Sequence, residues 1–211
     1  GARSALVGEP VRFDPAQQEH TMNQQASNPS GPTSPTPTTG VTGIARIAAA
    51  SLAGVQVEVF DTTLRDGLQV EGVSASVDDK LRIAEQLDFL GVQFIEGGWP
   101  GANPKDIEFF ARAAVDLQPR HSTLVAFGST RRPRGKVDDD ATLRHLLEAG
   151  TAAACIVAKS WDYHVTEALQ TTLDEGEAMI ADSVAFLAAA GRRVLVDMEH
   201  FFDGYKHNPE F

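Results

Sequence analysis

An alternation that starts after residue 50 constrains this chain more than any other feature. It repeats at roughly thirty-to-forty-residue intervals. Short runs rich in β-branched and aromatic residues read as strands: VQVEVF (55–60), VQFIEG (92–97), TLVAFG (123–128), ACIVAKS (154–160) and VLVDMEHF (194–201). Their almost unbroken apolar character suits parallel strands covered on both faces. Between them lie helical patterns with chemical ends. Ser76 has Asp79 placed to complete a capping box, and Leu81, Ala84, Leu87 and Leu90 form an apolar stripe ahead of Gly91. Asn103 and Pro104 give a cap and a first-turn proline before DIEFFARAAV. Asp138 to Asp140 precede TLRHLLEAG, and a last pattern runs from Thr172 to Ala190 before Gly191.

Eight such units in about 250 residues make a (β/α)8 TIM barrel. Five are legible, so the expectation is an α/β fold, a (β/α)8 barrel truncated after about five units. An open doubly wound sheet competes, but no G-x-G-x-x-G turn follows the first strand. A barrel cut after strand five would carry two unpaired edges and a partly uncovered core.

Residues 1–50 differ in kind. They hold six of the eleven prolines, one stretch reads SNPSGPTSPTPTTG, and Phe13 is their only aromatic. Such a composition buries too little apolar surface to offset ordering entropy, so 1–50 is expected to be a disordered tail and 51–211 the barrel part. Met22, the first methionine, is an alternative start of translation. Three arginines balance three acids in the tail, so the net charge of -11 falls on 51–211. That charge argues against nucleic acid or an acidic membrane surface as partner. A lone Cys155 excludes an internal disulfide, and no run approaches the eighteen or so apolar residues a bilayer needs. A cytoplasmic protein is expected.

In parallel α/β folds, chemistry collects where strands end. Strand one ends in FDTTLRDGLQVEG, packing Asp61, Arg65, Asp66 and Gln69 into nine residues, and strand two ends at Glu96. Acidic groups beside an arginine suit a hard divalent cation with an anionic or enolising substrate. A network of ion pairs bracing the barrel end fits the same spacing equally well.

DTTLRDG, KLRIAEQLDFLGVQFIEGGWPGANPKDIEFF, LVAFGSTRRP, KSWDYHVTEAL and EHFFDGYKHNPEF together resemble the citramalate synthase family. That family sits among acyl-CoA-condensing and -cleaving metalloenzymes that include isopropylmalate and homocitrate synthases and hydroxymethylglutaryl-CoA lyase. The likeness spans nearly all of 55–211. It implies condensation of acetyl-CoA with pyruvate to citramalate and CoA, in isoleucine biosynthesis, by a homodimer that uses Mg2+ or Mn2+. Asp66 matches the metal-binding aspartate, and Arg65 the arginine that stabilises charge on the keto oxygen. Glu96 and Glu199 match active-site glutamates on strands two and five, and Gln69 a residue lining the substrate pocket. The alternatives are an isopropylmalate- or homocitrate-type condensation with another 2-oxo acid, or a truncated, non-catalytic remnant.

The family completes its metal site with a His-x-His pair, and no two of the six histidines here are one residue apart. The 211 residues alone are therefore expected neither to hold metal tightly nor to turn over. Leu68, Val70 and Met198 depart from the family's usual wording, which bears on substrate choice more than on reaction class. His200 and His207 are expected to be hydrogen-bonded structural residues, since neighbours on a strand face opposite ways. Lys159, Trp161 and His164 fit pocket lining or surface packing equally. Arg131, Arg132, Arg134 and Lys136 are expected in a solvated loop, and Cys155 in inert core.

Overall fold

A computed structural model describes residues 57–211. The expected tail and the boundary at residue 50 lie outside them. The strands are β1 (Phe60–Asp61), β2 (Phe94–Gly98), β3 (Thr123–Ser129), β4 (Ala153–Lys159) and β5 (Arg193–Glu199). The helices are α1 (Val77–Phe89), α2 (Pro104–Asp116), α3 (Ala141–Glu148), α4 (Leu173–Ala189) and α5 (Phe201–His207). All strand pairs are parallel and the order is β1-β2-β3-β4-β5, so a crossover through a helix separates every neighbouring pair. The sheet curls into a half-barrel of the (β/α)8 type.

The helix starts follow from their caps. The Asp79 N–H donates to Ser76 Oγ at 3.1 Å while the Asp79 carboxylate accepts the Ser76 N–H at 3.0 Å, closing the capping box of α1. Asn103 Oδ1 accepts the Lys105 N–H at 3.0 Å, and Asp140 Oδ1 accepts from Thr142 and Leu143. Each such cap contributes about 1 kcal/mol. Gly91, at φ +81°, takes the left-handed conformation that stops α1.

Alternation along the strands divides the apolar residues between two faces. Ile95, Ala126, Ala154 and Ile156 point outward onto Leu81, Phe109, Phe110, Leu143, Leu146 and Leu187 of the helices. Their inward neighbours Phe94, Val125, Phe127, Ala153 and Cys155 form a second cluster with Phe60, Trp99, Val157 and Leu195. The first cluster holds the helices to the sheet. The second lines the concave side, where the polar residues of the strand ends also lie.

Two strand boundaries differ from expectation. β1 keeps two residues, because its ladder reaches only Phe60↔Phe94 and Asp61↔Ile95. Val57 and Val59 are exposed, and the Val59 N–H donates to the Gln93 side chain at 2.7 Å instead of to a strand. β5 stops at Glu199 rather than running through Phe201. His200 turns left-handed (φ 56°, ψ 30°) and starts α5, a helix the apolar run concealed.

Candidate active site

The turn after β1 is built by its own threonines and acids. The Asp61 carboxylate accepts the Thr63 N–H at 2.9 Å and its hydroxyl at 3.0 Å. The Thr62 carbonyl accepts the N–H groups of Arg65, Asp66 and Gly67. Leu64 is buried in the sheet–helix core and pins the turn, which leaves Arg65 free to reach over the concave face. There the guanidinium lies 3.9 Å from the Phe127 ring centroid. Its Nε donates to Glu96 Oε2 at 2.6 Å and its Nη1 to Asp66 Oδ1 at 3.1 Å. A cation over an aromatic face with a carboxylate edge-on is a fixed arrangement that lysine's point charge does not reproduce.

Glu96 owes its place to a bulge. The register passes from Glu96↔Val125 straight to Gly98↔Ala126, so Gly97 is the extra residue. One added residue puts Glu96 and Trp99, which an unbroken strand would face apart, on the same side. Trp99 meets Phe127 edge-on at 5.4 Å. Both glycines are sterically required. A Cβ on Gly97 would come within 2.6 Å of the Phe109 ring, and one on Gly98 (φ +148°) would run into the Asp106 carboxylate. Asp106 anchors the bulge from behind: it accepts the Trp99 N–H at 2.8 Å and pairs with Lys80 Nζ at 2.5 Å. Lys80 is only 2% exposed. Burial lowers its pKa, and the bond to Asp106 opposes that shift.

Glu96 is 1% exposed, and burial raises its pKa above the usual carboxylate range. Hydrogen bonding and charge from Arg65 pull it back, while the Asp197 carboxylate raises it further. The Cys155 thiol beside it is pushed up to about 12, by burial first and then by Glu96 and Asp197. Cys155 therefore stays protonated, as an inert core position should, although its neighbours include carboxylates as well as apolar groups. A cavity of about 360 Å³ opens over Arg65, Glu96, Cys155, Asp197, Phe60 and Thr62. A smaller one of about 200 Å³ lies on the other side of Arg65, toward Gln69, Lys80, Trp99 and Asn103.

The structure thus joins Arg65, Asp66 and Glu96 directly. Gln69 sits on a one-turn 3-10 helix (Gly67–Gln69) and shares only the smaller cavity with Arg65. Glu199 contacts none of these four. Its carboxylate pairs with the Lys159 ammonium, and its carbonyl accepts the Ser160 hydroxyl at 2.7 Å. Asp197 was overlooked in the sequence, although it stands two residues before Glu199 and must share its face. Phe127, the platform for Arg65, and the Lys80–Asp106 anchor carried no local signal.

Three weaker expectations also resolve. Arg131 is no solvated loop residue. It is buried, bonding Glu175 at 2.6 Å and Asp182 at 2.8 Å, and its N–H donates to Ser183 Oγ. Those partners lie more than forty residues along the chain, out of reach of local pattern. His200 and His207 face Asp203 (3.4 Å) and Asp162 (3.0 Å), and are hydrogen-bonded as expected. Trp161 and His164 pack with Tyr163 and His200 in an aromatic cluster.

Among the described residues no group of three or more His, Cys, Asp or Glu side chains is placed to hold a metal ion. Asp66, with its side chain 62% exposed, offers hard oxygen at the rim, and one of its oxygens is engaged by Arg65. That is one donor and not a site. No helix among the described residues is long and apolar enough to cross a membrane.

Sequential parallel strands with helices on the convex side make half of a (β/α)8 barrel, and an arginine–carboxylate set lies at its strand ends. The HMGL-like family profile matches residues 56–207, and the chain belongs to that family. It is 60% identical over 153 residues to an (R)-citramalate synthase of Streptomyces coelicolor, covering 72% of this chain and 29% of the relative. It is 54% identical to an (R)-citramalate synthase of Synechocystis (72% and 28%), and 34% identical to a 2-isopropylmalate synthase of Synechococcus (74% and 28%). The chain therefore spans less than a third of the length of these relatives. Among solved structures, hydroxymethylglutaryl-CoA lyase from Pseudomonas aeruginosa superposes with a TM-score of 0.51 at 20% identity, over 67% of this chain and 45% of that one.

Proposed function

We propose that residues 56–211 are the first part of the catalytic barrel of a citramalate synthase-type acyltransferase, which condenses acetyl-CoA with pyruvate. The observation that carries this is the Arg65 guanidinium, fixed between Phe127, Glu96 and Asp66 at the carboxyl ends of the strands. Identity supports the branch: five citramalate synthases match at 45–60%, against 30–34% for 2-isopropylmalate synthases.

In the reaction a carboxylate removes a proton from the acetyl methyl, and the resulting enolate carbon attacks the keto carbon of pyruvate. The keto oxygen takes up the electron pair as an alkoxide and is then protonated. Water cleaves the thioester, giving citramalate, CoA and a proton. Charge grows on the keto oxygen during attack, so a fixed guanidinium there stabilises the transition state more than the ground state. Glu96 and Phe127 hold Arg65 ready, and Arg65 Nη2 donates no hydrogen bond among the described residues. Gln69 borders the pocket, and Glu199 is a candidate acid or base. Asp66 is the residue of this chain proposed to face a divalent cation, Mg2+ or Mn2+, which would polarise the 2-oxo acid. That ion needs further donors beyond those described. A homodimer is proposed from the family resemblance.

The test is CoA release by the full-length protein from acetyl-CoA with a panel of 2-oxo acids. Pyruvate should be preferred. Preference for a longer 2-oxo acid would move the protein to the isopropylmalate or homocitrate branch, and no CoA release with any of them would leave the non-catalytic reading. The 211-residue chain alone should show no turnover.

A further inference from the structure

Three cation–carboxylate pairs stand on the concave side of the sheet: Arg65–Glu96, Lys159–Glu199, and Arg193–Glu58, in which the Arg193 guanidinium lies over the Phe94 ring. The pair at the carboxyl ends of β4 and β5 joins those two strands. Lys159 and Glu199 are register partners at the carboxyl ends of these strands, and their side chains form an ion pair. Strand alternation puts both on the parity of Cys155, Val157 and Leu195, whose side chains line the concave cluster. The pair is partly open, with side chains 31% and 34% exposed, so a ligand can approach it.

The backbone under Glu199 is also fixed. Ser160 Oγ donates to the Glu199 carbonyl at 2.7 Å. Gly204 of α5 packs so closely on the Ser160 carbonyl that a Cβ would not fit. The chain leaves Glu199 through the left-handed His200. With the main chain held, the remaining freedom of Glu199 is its own side-chain torsions, and Lys159 is the group that restrains them. Of the other charged groups on β5, Asp197 carries the same sign as Glu199, and Arg193 at the far end of the strand is paired with Glu58.

We infer that Lys159 is a positioning residue, holding the Glu199 carboxylate toward the reacting carbon atoms. The inference rests on the condensation proposed above. Lysine suits the task because its single charge on a flexible stem lets the carboxylate re-aim when substrate arrives, unlike the planar fork at Arg65.

Two measurements on the full-length protein test it. A water-soluble carbodiimide joins a carboxylate to an amine only when they touch, so it should couple Glu199 to Lys159, giving a cross-linked peptide pair in mass spectra. E199Q should abolish that product. Its absence from the wild type would overturn the inference. Next, K159M should lower kcat about 100-fold, the scale of an ångström's misplacement of a reacting group, with KM changed less than about 3-fold. K159R, which restores the charge but not the flexible point contact, should regain part of kcat. An active wild type with K159M unaffected, or with the loss entirely in KM, overturns the positioning role and leaves the proposed function standing. Cross-linking without CoA release from any 2-oxo acid would instead remove the proposed function, and the positioning role with it.

Discussion

The β1–β2 end and the β4–β5 end of the sheet each carry a cation–carboxylate pair, and the two are built to opposite specifications. Arg65–Glu96 is closed: Glu96 is almost fully buried, Arg65 lies on Phe127, and a bulge with its own buried anchor holds the strand. Lys159–Glu199 is open, with neither partner buried and one hydroxyl steadying the backbone. Charges removed from water must be matched by geometry, so the closed pair is rigid and costly to disturb. The open pair stays solvated and contributes little to stability. One end is shaped before any ligand arrives, and the other can still adjust.

The largest effect should come from the anchor behind the closed end. Asp106→Ala strands the Lys80 ammonium in the core and leaves the Trp99 N–H without its acceptor. A loss of about 3–5 kcal/mol is expected, read from chemical denaturation. The double variant Lys80→Met with Asp106→Asn removes the charge and keeps an oxygen for Trp99, so it should recover most of that loss. If it does not, the pair matters for something other than charge compensation.

Arg65→Lys breaks the closed end at its chemistry. In the full-length protein kcat should fall about 100- to 1000-fold, and thermal stability should fall as well, because the buried Glu96 keeps a poorer partner. The ammonium cannot donate to Glu96 and lie flat on Phe127 at once. A comparable loss from Lys159→Arg would erase the distinction between the two ends.

The sequence carried the strands and helices well, because each depended on neighbours within a few residues: Ser76 with Asp79, Asn103 with Pro104, Gly91 after its stripe. It also carried Arg65, Asp66 and Glu96 as a group, since they fall where β1 and β2 end. Features that depend on distant partners were invisible. The Gly97 bulge is set by Phe109 and Asp106 on α2, Arg131 is buried by acids of α4, and β1 shortens because its ladder is limited to β2. The end of β5 was misplaced for a different reason. Apolar content alone cannot separate a strand from a short helix, and the left-handed His200 that divides them leaves no pattern.

A third buried carboxylate sharpens the contrast in how charge is held. Asp88, at the far end of α1, pairs with no cation among the described residues. Burial acts to raise its pKa, but the N–H groups of Arg120, His121 and Ser122 outweigh that and hold it at about 2. Its folded pKa is thus below the unfolded value of 3.8, so its stabilisation is present above pH 4 and is lost as pH falls toward 2. Burial pushes Glu96 the opposite way, and its net shift is upward. The folded protein then binds the proton more tightly than the unfolded chain, and stability falls as pH rises from 4.5 through the folded pKa. Asp88→Asn should cost about 1.5–3 kcal/mol at pH 7 and flatten the fall in stability between pH 4 and 2. An unchanged acid limb in that variant would place the acid sensitivity elsewhere.

The smallest expected effect tests the open end. Lys159→Met should change unfolding free energy by less than about 1 kcal/mol, because the ion pair it removes is exposed to water on one side. The methionine keeps most of the apolar stem, so packing is nearly conserved, and Glu199 is left partly solvated instead of stranded. Raising salt to 1 M should shrink even this difference for the open pair, since the screening length there is about 3 Å, while leaving the cost of Asp106→Ala almost untouched. A loss of 3 kcal/mol or more from Lys159→Met, in guanidine-free urea titrations, would mean that Glu199 is as deeply committed to the fold as Glu96. The two ends would then differ in residue type alone, and the adjustable role given to the β4–β5 end would have no physical basis.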